Sequence, residues 1–198
     1  MIGIVDYGAG NLNSVLKAFA YLKLEARLVT SSEDMDGLEK LVIPGVGFFG
    51  AALNELRERN LYQSVARWIK EDKPVLGICL GFQLLFEKSE ETPAETGFSF
   101  FKGFCQKIRA EKVPHMGWNV VKVMAGDPIF EGLNQAEFFY FVHSYAVYST
   151  QEKVLGLTEY GNDFVSVVKS GRIYGVQFHP EKSGEAGLKL LWNWGTLC

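Results

Sequence analysis

The sequence predicts an α/β protein: an open, mostly parallel sheet flanked by helices, with antiparallel strands added in the C-terminal half. Two observations support this fold class. In the first half of the 198 residues, short apolar runs alternate with segments of helical periodicity, which is typical of a parallel sheet covered on both faces. In the second half, strand-like runs follow one another with glycine turns between them, which is typical of antiparallel strands.

The first half alternates between strand and helix signals. The apolar run at residues 2–5 ends in a tight turn, after which apolar residues recur at helical spacing. Strands are predicted at residues 2–5, 27–30, 40–43 and 74–78. Helices are predicted at 12–22, once or twice within 49–70, and at 80–86. The acidic, aperiodic residues 87–96 are predicted to form a loop.

The second half consists mainly of strand-like runs, with turns expected at Gly161 and Gly171. Strands are predicted at residues 138–142, 145–148, 154–158, 164–169 and 172–178. We expect them to extend the sheet as antiparallel strands. Ser183 is predicted to cap a last helix at residues 185–194.

Length and composition restrict the classes of protein that fit. A chain of 198 residues, 47% hydrophobic and 22% charged, is expected to fold as one domain over residues 1–198. The net charge of -3 and the lack of a basic stripe argue against a nucleic-acid partner. The N-terminal residues do not resemble a signal peptide, and the longest uncharged apolar run, 41–53, is too short to span a bilayer. We therefore expect a cytoplasmic protein that does not associate with membranes.

Cys79 is the first candidate for chemistry, because Gly77-Ile78-Cys79-Leu80-Gly81 stands between a strand pattern and a helix pattern. A nucleophile at the apex of a strand-to-helix turn adopts a strained backbone, and small residues two positions away let the chain double back. Unpaired N–H groups at the start of the helix favour the reactive thiolate. The alternative is that Cys79 is a buried small hydrophobic residue.

A base and a residue that orients it follow the last predicted strand. In extended backbone, residues two apart point to the same side, so His179 and Glu181 can form a hydrogen bond across Pro180. Glu181 would then fix the tautomer of His179 and stabilise the imidazolium. The alternative is a capped strand end with a surface carboxylate. Pairing with Cys79 favours catalysis, because open α/β sheets carry their sites at the carboxyl ends of strands.

Two further features fit acyl-transfer chemistry. The loop Pro44-Gly45-Val46-Gly47 ends another strand, so the N–H of Val46 or Gly47 could form an oxyanion hole with the N–H of Leu80. An ordinary strand-to-helix loop is the alternative. Gln83 lies four residues after Cys79 and thus on the same helix face, where it could contact substrate or serve as a buried structural glutamine.

The motifs P-G-V-G at 44–47, G-I-C-L-G at 77–81 and H-P-E at 179–181 resemble those of the class I (triad) glutamine amidotransferases, and the resemblance covers the whole chain. Three further segments are D-Y-G-A-G-N at 6–11, H-M-G-W-N at 115–119 and Y-F-V-H-S-Y at 140–145. They are similar to the branch of this family that supplies ammonia to the imidazole-forming synthase of histidine biosynthesis.

The resemblance implies a triad, a substrate and a partner. The implied triad is Cys79, His179 and Glu181. The implied contacts to glutamine come from Gly47, Gln83, Glu91, Ser144 and Tyr145. The implied partner is a cyclase subunit of β/α-barrel fold, bound as a heterodimer, which would face Asn11, Trp118, Tyr140 and Lys182. For the two aromatic residues, the alternative is core packing.

The expected reaction is the hydrolysis of glutamine by nucleophilic catalysis, without a metal or an organic cofactor. His115 and His143 lack paired acids at metal-ligand spacing and are expected to be structural histidines with satisfied hydrogen bonds. Two alternatives remain open. The same triad could belong to a cysteine peptidase or another amidase, or the chain could be a regulatory subunit whose triad is idle.

Overall fold

The structure is a computed structural model that describes residues 1–198 as a twelve-stranded sheet with helices on both faces. The strands are β1 (Ile2–Val5), β2 (Ala26–Val29), β3 (Lys40–Ile43), β4 (Val75–Ile78), β5 (Lys88–Ser89), β6 (Phe104–Lys107), β7 (His115–Val123), β8 (Ala136–His143), β9 (Tyr145–Val147), β10 (Lys153–Tyr160), β11 (Asn162–Ser170) and β12 (Ile173–Val176). The α-helices are α1 (Leu12–Tyr21), α2 (Phe49–Glu58), α3 (Tyr62–Lys70), α4 (Leu80–Leu84) and α5 (Gly184–Leu197). Short 3₁₀ turns occupy Glu33–Met35, Pro128–Phe130 and Pro180–Lys182.

The sheet has a parallel part and an antiparallel part. Its strand order is β2-β1-β3-β4-β12-β11-β10-β7-β8. Pairing is parallel from β2 to β12 and antiparallel from β12 to β8. The short strands β5, β6 and β9 form a branch that joins the sheet through β9 and β11. This arrangement confirms the predicted fold class.

Two buried clusters cover the two faces of the sheet. Helices α2, α3 and α4 contribute to the cluster on one face, and helices α1 and α5 contribute to the cluster on the other. Strand β3 shows why both faces are apolar: Leu41 and Ile43 belong to the first cluster, and Val42 belongs to the second. None of the helices has the length and the hydropathy needed to cross a membrane.

Residues 49–70, predicted to form one or two helices, form two, separated at Asn60, whose φ is 57°. Several other predicted elements need correction. The predicted loop 87–96 contains the short strand β5, helix α4 ends at Leu84, and strands β6 and β7 were not predicted. The last predicted strand, 172–178, corresponds to β12, which pairs in parallel with β4 on one side.

Ser183 is the N-cap residue of α5, as predicted, but its side chain makes no capping hydrogen bond to the helix. The Ser183 hydroxyl instead donates to the carbonyl oxygen of His179 at 2.6 Å. The Ser183 hydroxyl oxygen, Oγ, also accepts the N–H of Tyr140 at 2.9 Å. The side chain therefore ties the segment after β12 to strand β8 rather than to the helix N-terminus.

Candidate active site

The candidate site lies at the carboxyl ends of three neighbouring parallel strands. Strand β3 leads into the loop at 44–47, β4 leads into Cys79, and β12 leads into His179. Because these strands pair side by side in parallel, their carboxyl ends meet at one edge of the sheet. Residues far apart in the chain are brought together there.

Cys79 occupies the strained turn that the glycine pattern predicted. Its φ is 53° and its ψ is -105°, and the residue is almost fully buried. A Cβ on Gly77 would lie 2.8 Å from the Gly81 carbonyl oxygen, and one on Gly81 would lie 1.7 Å from that of Ile43. Both positions therefore require glycine, because the turn packs tightly against strand β3.

His179 and Glu181 form the expected pair. His179 Nδ1 lies 2.8 Å from Glu181 Oε1, and both side chains are nearly buried. A carboxylate oxygen only accepts, so Nδ1 carries the hydrogen and Glu181 orients the ring. His179 Nε2 is buried and makes no hydrogen bond, although Cys79 lies close enough to influence the charge of the ring. The free nitrogen is the one that general acid-base chemistry needs.

The charge state of His179 reflects three influences. Burial acts to lower its pKa, but the negative charge of Cys79 and the carboxylate of Glu181 outweigh burial and raise the pKa to about 10. His179 is therefore an imidazolium at neutral pH when Cys79 is a thiolate. An ion pair of this kind is the reactive form of a Cys-His nucleophile.

The expected oxyanion hole is not formed in this conformation. The N–H of Leu80, predicted as one of its donors, is already bonded to the carbonyl oxygen of Gly45 at 3.2 Å. Val46 and Gly47 are exposed, and Gly47 has a φ of 106°. The loop at 44–47 turns the Gly45 carbonyl toward Leu80, so the loop must rotate before Leu80 and Val46 or Gly47 can act as the expected pair of N–H donors.

A cavity of about 310 Å³ opens beside Cys79, within the size range of small-molecule sites. Its lining includes every residue expected to contact glutamine, namely Gly47, Gln83, Glu91, Ser144 and Tyr145. Glu91 Oε2 accepts the N–H of Phe49 at 2.6 Å, which fixes the carboxylate at the start of α2. The cavity thus contains both the fixed carboxylate of Glu91 and the sulfur of Cys79.

Gln83 is held by the protein itself. Its side-chain nitrogen donates to the Tyr145 carbonyl oxygen at 2.9 Å and to Gln177 Oε1 at 3.1 Å. Gln83 is therefore a buried structural residue, and it also lines the cavity in which a contact to substrate is expected.

Sequence reasoning missed two residues that contact this site. Gln177 is fully buried, and its Nε2 lies 3.9 Å from Cys79 Sγ. The only available signal was a lone amide in an apolar strand, two residues before His179. Tyr7 is also fully buried and donates its hydroxyl to the Pro44 carbonyl oxygen at 2.6 Å. No local pattern linked Tyr7 to the loop.

His115 and His143 form a hydrogen-bonded pair next to the cavity. His143 Nδ1 lies 2.8 Å from the Tyr145 carbonyl oxygen, and His143 Nε2 lies 2.9 Å from His115 Nδ1. Burial lowers the pKa of His115 to about 4 and that of His143 to about 3. Both rings are therefore neutral at physiological pH, as structural histidines with hydrogen-bond partners would be.

The four residues expected to face a partner differ in exposure. Asn11, Trp118 and Lys182 are exposed, and the Trp118 side chain is 56% accessible, so core packing does not explain it. Tyr140 is half-buried and packs edge-to-face with Trp118, with ring centroids 6.1 Å apart. The Tyr140 carbonyl oxygen also accepts the N–H of His179 at 2.9 Å. The aromatic pair therefore borders the segment that carries the candidate base.

Comparison with known proteins shows the family of the chain. The family described as "Glutamine amidotransferase class-I" matches residues 3–195. The chain is 44% identical over 198 residues to "Imidazole glycerol phosphate synthase subunit HisH" of Methanocaldococcus jannaschii, covering 100% of both. It is 41% identical over 199 residues to the subunit of the same name in Caldanaerobacter subterraneus, covering 100% of this chain and 98% of the relative.

A solved structure extends the likeness to the fold. A "Crystal structure of glutamine amidotransferase" superposes with a TM-score of 0.77 at 20% identity, covering 96% of each chain. From the family match and the full-length relatives, the chain belongs to the class I glutamine amidotransferases and, within them, to the HisH subunits of imidazole glycerol phosphate synthase.

Proposed function

We propose that residues 1–198 form one glutaminase domain that uses Cys79, His179 and Glu181 to hydrolyse glutamine. The ammonia passes directly to a cyclase subunit of β/α-barrel fold, which makes imidazole glycerol phosphate and AICAR in histidine biosynthesis. One observation carries the proposal: His179 is held by Glu181 through Nδ1 while its buried Nε2 remains free beside Cys79, at the wall of an amino-acid-sized cavity.

The first half of the reaction forms a thioester. The Cys79 thiolate attacks the side-chain carbonyl carbon of glutamine, and the carbonyl oxygen becomes an oxyanion. The imidazolium of His179 then gives its Nε2 proton to the departing nitrogen, so that the C–N bond breaks and ammonia leaves. His179 is now neutral, and Glu181 keeps its ring in position.

The second half releases glutamate. Neutral His179 takes a proton from water as the hydroxide attacks the thioester carbon. The C–S bond then breaks, which restores the thiolate at Cys79 and leaves the imidazolium at His179. The new carboxyl group loses its proton to solvent. No step requires a metal or an organic cofactor, because the thiolate, the imidazolium and the backbone N–H groups supply all the charges.

Glutamine is oriented by the other residues that line the cavity. The fixed carboxylate of Glu91 suits the α-ammonium group, and Ser144 and Tyr145 line the same cavity. Burial, followed by the nearby carboxylates of Glu91 and Glu90, raises the pKa of Tyr145. Tyr145 therefore keeps its hydroxyl hydrogen and can donate to the substrate carboxylate.

The loop at 44–47 controls the rate. With Leu80 bonded to the Gly45 carbonyl oxygen, the oxyanion has no free N–H from that residue. Rotation of the loop would release Leu80 and present the N–H of Val46 or Gly47, and Gly45 and Gly47 allow this at low steric cost. Binding of the cyclase and its own substrate favours the rotated state. The lone chain therefore hydrolyses glutamine slowly.

Direct transfer explains why a partner is needed. Free ammonia in water at neutral pH is mostly ammonium, which is not a nucleophile, so a glutaminase that serves a synthase must deliver ammonia to it without release. The heterodimer would form on the face that carries Asn11, Trp118, Tyr140 and Lys182. The three free cysteines are consistent with a reducing compartment, and we assign the protein to the cytoplasm.

Hydrolysis of glutamine by the purified chain with its cyclase, compared with hydrolysis of a generic peptide, tests the proposal. We expect turnover of glutamine alone, stimulated by the cyclase and its substrate. Cleavage of the peptide at a comparable rate would instead indicate a peptidase. Failure of Cys79 to react with a glutamine-like electrophile would indicate a regulatory subunit with an idle triad.

A further inference from the structure

Gln177 contacts the nucleophilic sulfur but has no part in the triad. It follows β12 directly and is fully buried. Its backbone N–H donates to the carbonyl oxygen of Ser166 at 3.0 Å, which fixes the residue against strand β11. From this position its side-chain Nε2 lies 3.9 Å from Cys79 Sγ, and the same sulfur lies 3.8 Å from the Val142 carbonyl oxygen.

The orientation of the Gln177 amide is determined by its neighbours. The Tyr145 carbonyl oxygen can only accept, so Gln83 must direct its nitrogen toward it. The second hydrogen of that nitrogen goes to Gln177, so Gln177 must present its oxygen to Gln83. The remaining face of Gln177, toward Cys79, is therefore the NH₂ group. The Tyr145 carbonyl oxygen thus determines the donor and acceptor roles in the contacts from Gln83 to Gln177 and from Gln177 to Cys79.

We propose that Gln177 is a further catalytic residue: its side-chain N–H, held in this orientation by Gln83, donates to Cys79 Sγ and stabilises the thiolate that attacks glutamine. This inference rests on the proposed function, because the thiolate matters only if Cys79 is the nucleophile. A hydrogen bond to a charged acceptor is stronger than one to a neutral acceptor, so the contact favours thiolate over thiol.

Other groups also act on this sulfur and must be kept constant in a test. The charged or titratable side chains that face Cys79 from the surrounding elements are His179 with its partner Glu181, Tyr7, His143 and Glu91. None of them is altered by a change at Gln177. Replacement of Gln177 by methionine keeps the length of the side chain and removes the donor.

The test is the pH dependence of alkylation of Cys79 by iodoacetamide in the full chain, from about pH 5 to about pH 9. Alkylation is measured by mass spectrometry on the peptide that contains Cys79, which separates it from Cys105 and Cys198. For Gln177→Met we expect the midpoint of the curve of alkylation rate against pH to move upward by about one pH unit. Below that midpoint, the variant should be alkylated roughly tenfold more slowly than the parent. The matched control is Ser166→Ala, because the buried Ser166 hydroxyl has no hydrogen-bond partner.

An unchanged midpoint in a folded Gln177→Met variant would overturn the proposal. If that variant does not fold, Gln83→Met serves in its place: it leaves Gln177 present but frees its amide to rotate, so a smaller upward shift is expected. No shift in Gln83→Met would likewise overturn the proposal. Iodoacetamide reports on the sulfur without glutamine turnover, whereas glutamine hydrolysis with the cyclase, measured in parallel, tests the proposed function separately.

Discussion

The N–H of Leu80 donates a hydrogen bond to the carbonyl oxygen of Gly45, at 3.2 Å. Leu80 follows the candidate nucleophile, and Gly45 lies in the loop after β3, so this bond joins two segments that must cooperate to hold an oxyanion. While it is present, the site contains a nucleophile, a base and a cavity, but no complete oxyanion hole. Under the proposed function, this bond therefore connects the resting conformation of the loop at 44–47 to the rate of hydrolysis.

Tyr7→Phe tests this connection. The Tyr7 hydroxyl donates to the Pro44 carbonyl oxygen at 2.6 Å and so anchors the resting loop. Burial, and then the charge of Cys79, raises the pKa of Tyr7, so the hydroxyl remains a donor at all physiological pH values. Loss of about 1 kcal/mol of anchoring should raise glutamine hydrolysis by the lone chain roughly fivefold. The measurement is steady-state kinetics of the lone chain and of the complex.

The control for this change is Tyr62→Phe. Tyr62 also donates its hydroxyl to a backbone carbonyl, that of Gly97, but it lies outside the loop. We expect its lone-chain rate to equal that of the parent. A Tyr7→Phe chain that hydrolyses glutamine no faster than Tyr62→Phe would exclude anchoring by Tyr7 as a cause of the slow basal rate.

The histidines should titrate in two distinct groups. The chain has only three, so NMR can follow each ring. We expect His115 and His143 to stay neutral down to their pKa values of about 4 and about 3, and His179 to stay protonated up to about 10. Cys79→Ala removes a charge that raises the pKa of His179, so the His179 resonance should then titrate at lower pH. An unchanged titration would show that Cys79 carries no charge in the parent.

The pKa values of the three histidines determine in which direction the stability of the protein changes with pH. The pKa of His179 is raised above its ordinary value of 6.5. The contribution of His179 to the free energy of unfolding is therefore complete below pH 6.5 and disappears as the pH rises toward about 10. The pKa values of His115 and His143 are lowered, so stability also decreases as the pH falls from 6.5 toward about 4 and about 3. The free energy of unfolding, measured with urea at several pH values, should therefore receive its largest contribution from the three histidines near neutral pH.

Glu181→Gln and His179→Ala should differ in severity. Glu181 orients the ring through one hydrogen bond to Nδ1, whereas His179 moves the proton itself. Both variants should have a lower kcat than the parent, and we expect the kcat of Glu181→Gln to be about a hundredfold higher than that of His179→Ala. Thermal denaturation of both variants checks that they are folded. Equal losses of kcat would mean that Glu181 does more than orient His179.

Trp118→Ala should weaken association with the cyclase. Trp118 is 56% exposed and packs on Tyr140, whose carbonyl oxygen binds the N–H of His179. Loss of a large aromatic side chain at the centre of an interface costs about 2 kcal/mol, or roughly a 30-fold higher Kd. Phe104→Ala removes another exposed aromatic side chain, 47% accessible, and is the matched control. Calorimetric Kd values that are equal for the two variants would place the interface elsewhere.

Much of the parallel half was predictable because its signals are local. Strands β1 and β3 have the predicted bounds, Ile2–Val5 and Lys40–Ile43, since each is a short apolar run with a turn residue close by. The positions of Cys79, His179 and Glu181 could likewise be inferred, because turn sterics and the two-residue period of extended backbone are properties of neighbouring residues.

Features that depend on distant contacts were not predictable. Strand β7 includes Gly117 and Asn119, which weaken its strand signal, and it is stabilised by its full-length pairing with β8. The insertion of β12 between β4 and β11 depends on tertiary packing. Similarly, the sequence permits Gly45 to turn either its carbonyl or an N–H toward Leu80, because glycine adopts both conformations easily.

The role of Cys79 is tested most directly by Cys79→Ala in the complex with the cyclase, assayed once with glutamine and once with ammonium salts as the nitrogen source. We expect glutamine-dependent synthesis to be abolished and ammonium-dependent synthesis to equal that of the parent, because the cyclase reaction does not use the thiol. Glutamine-dependent turnover that remains within about tenfold of the parent would contradict nucleophilic catalysis by Cys79.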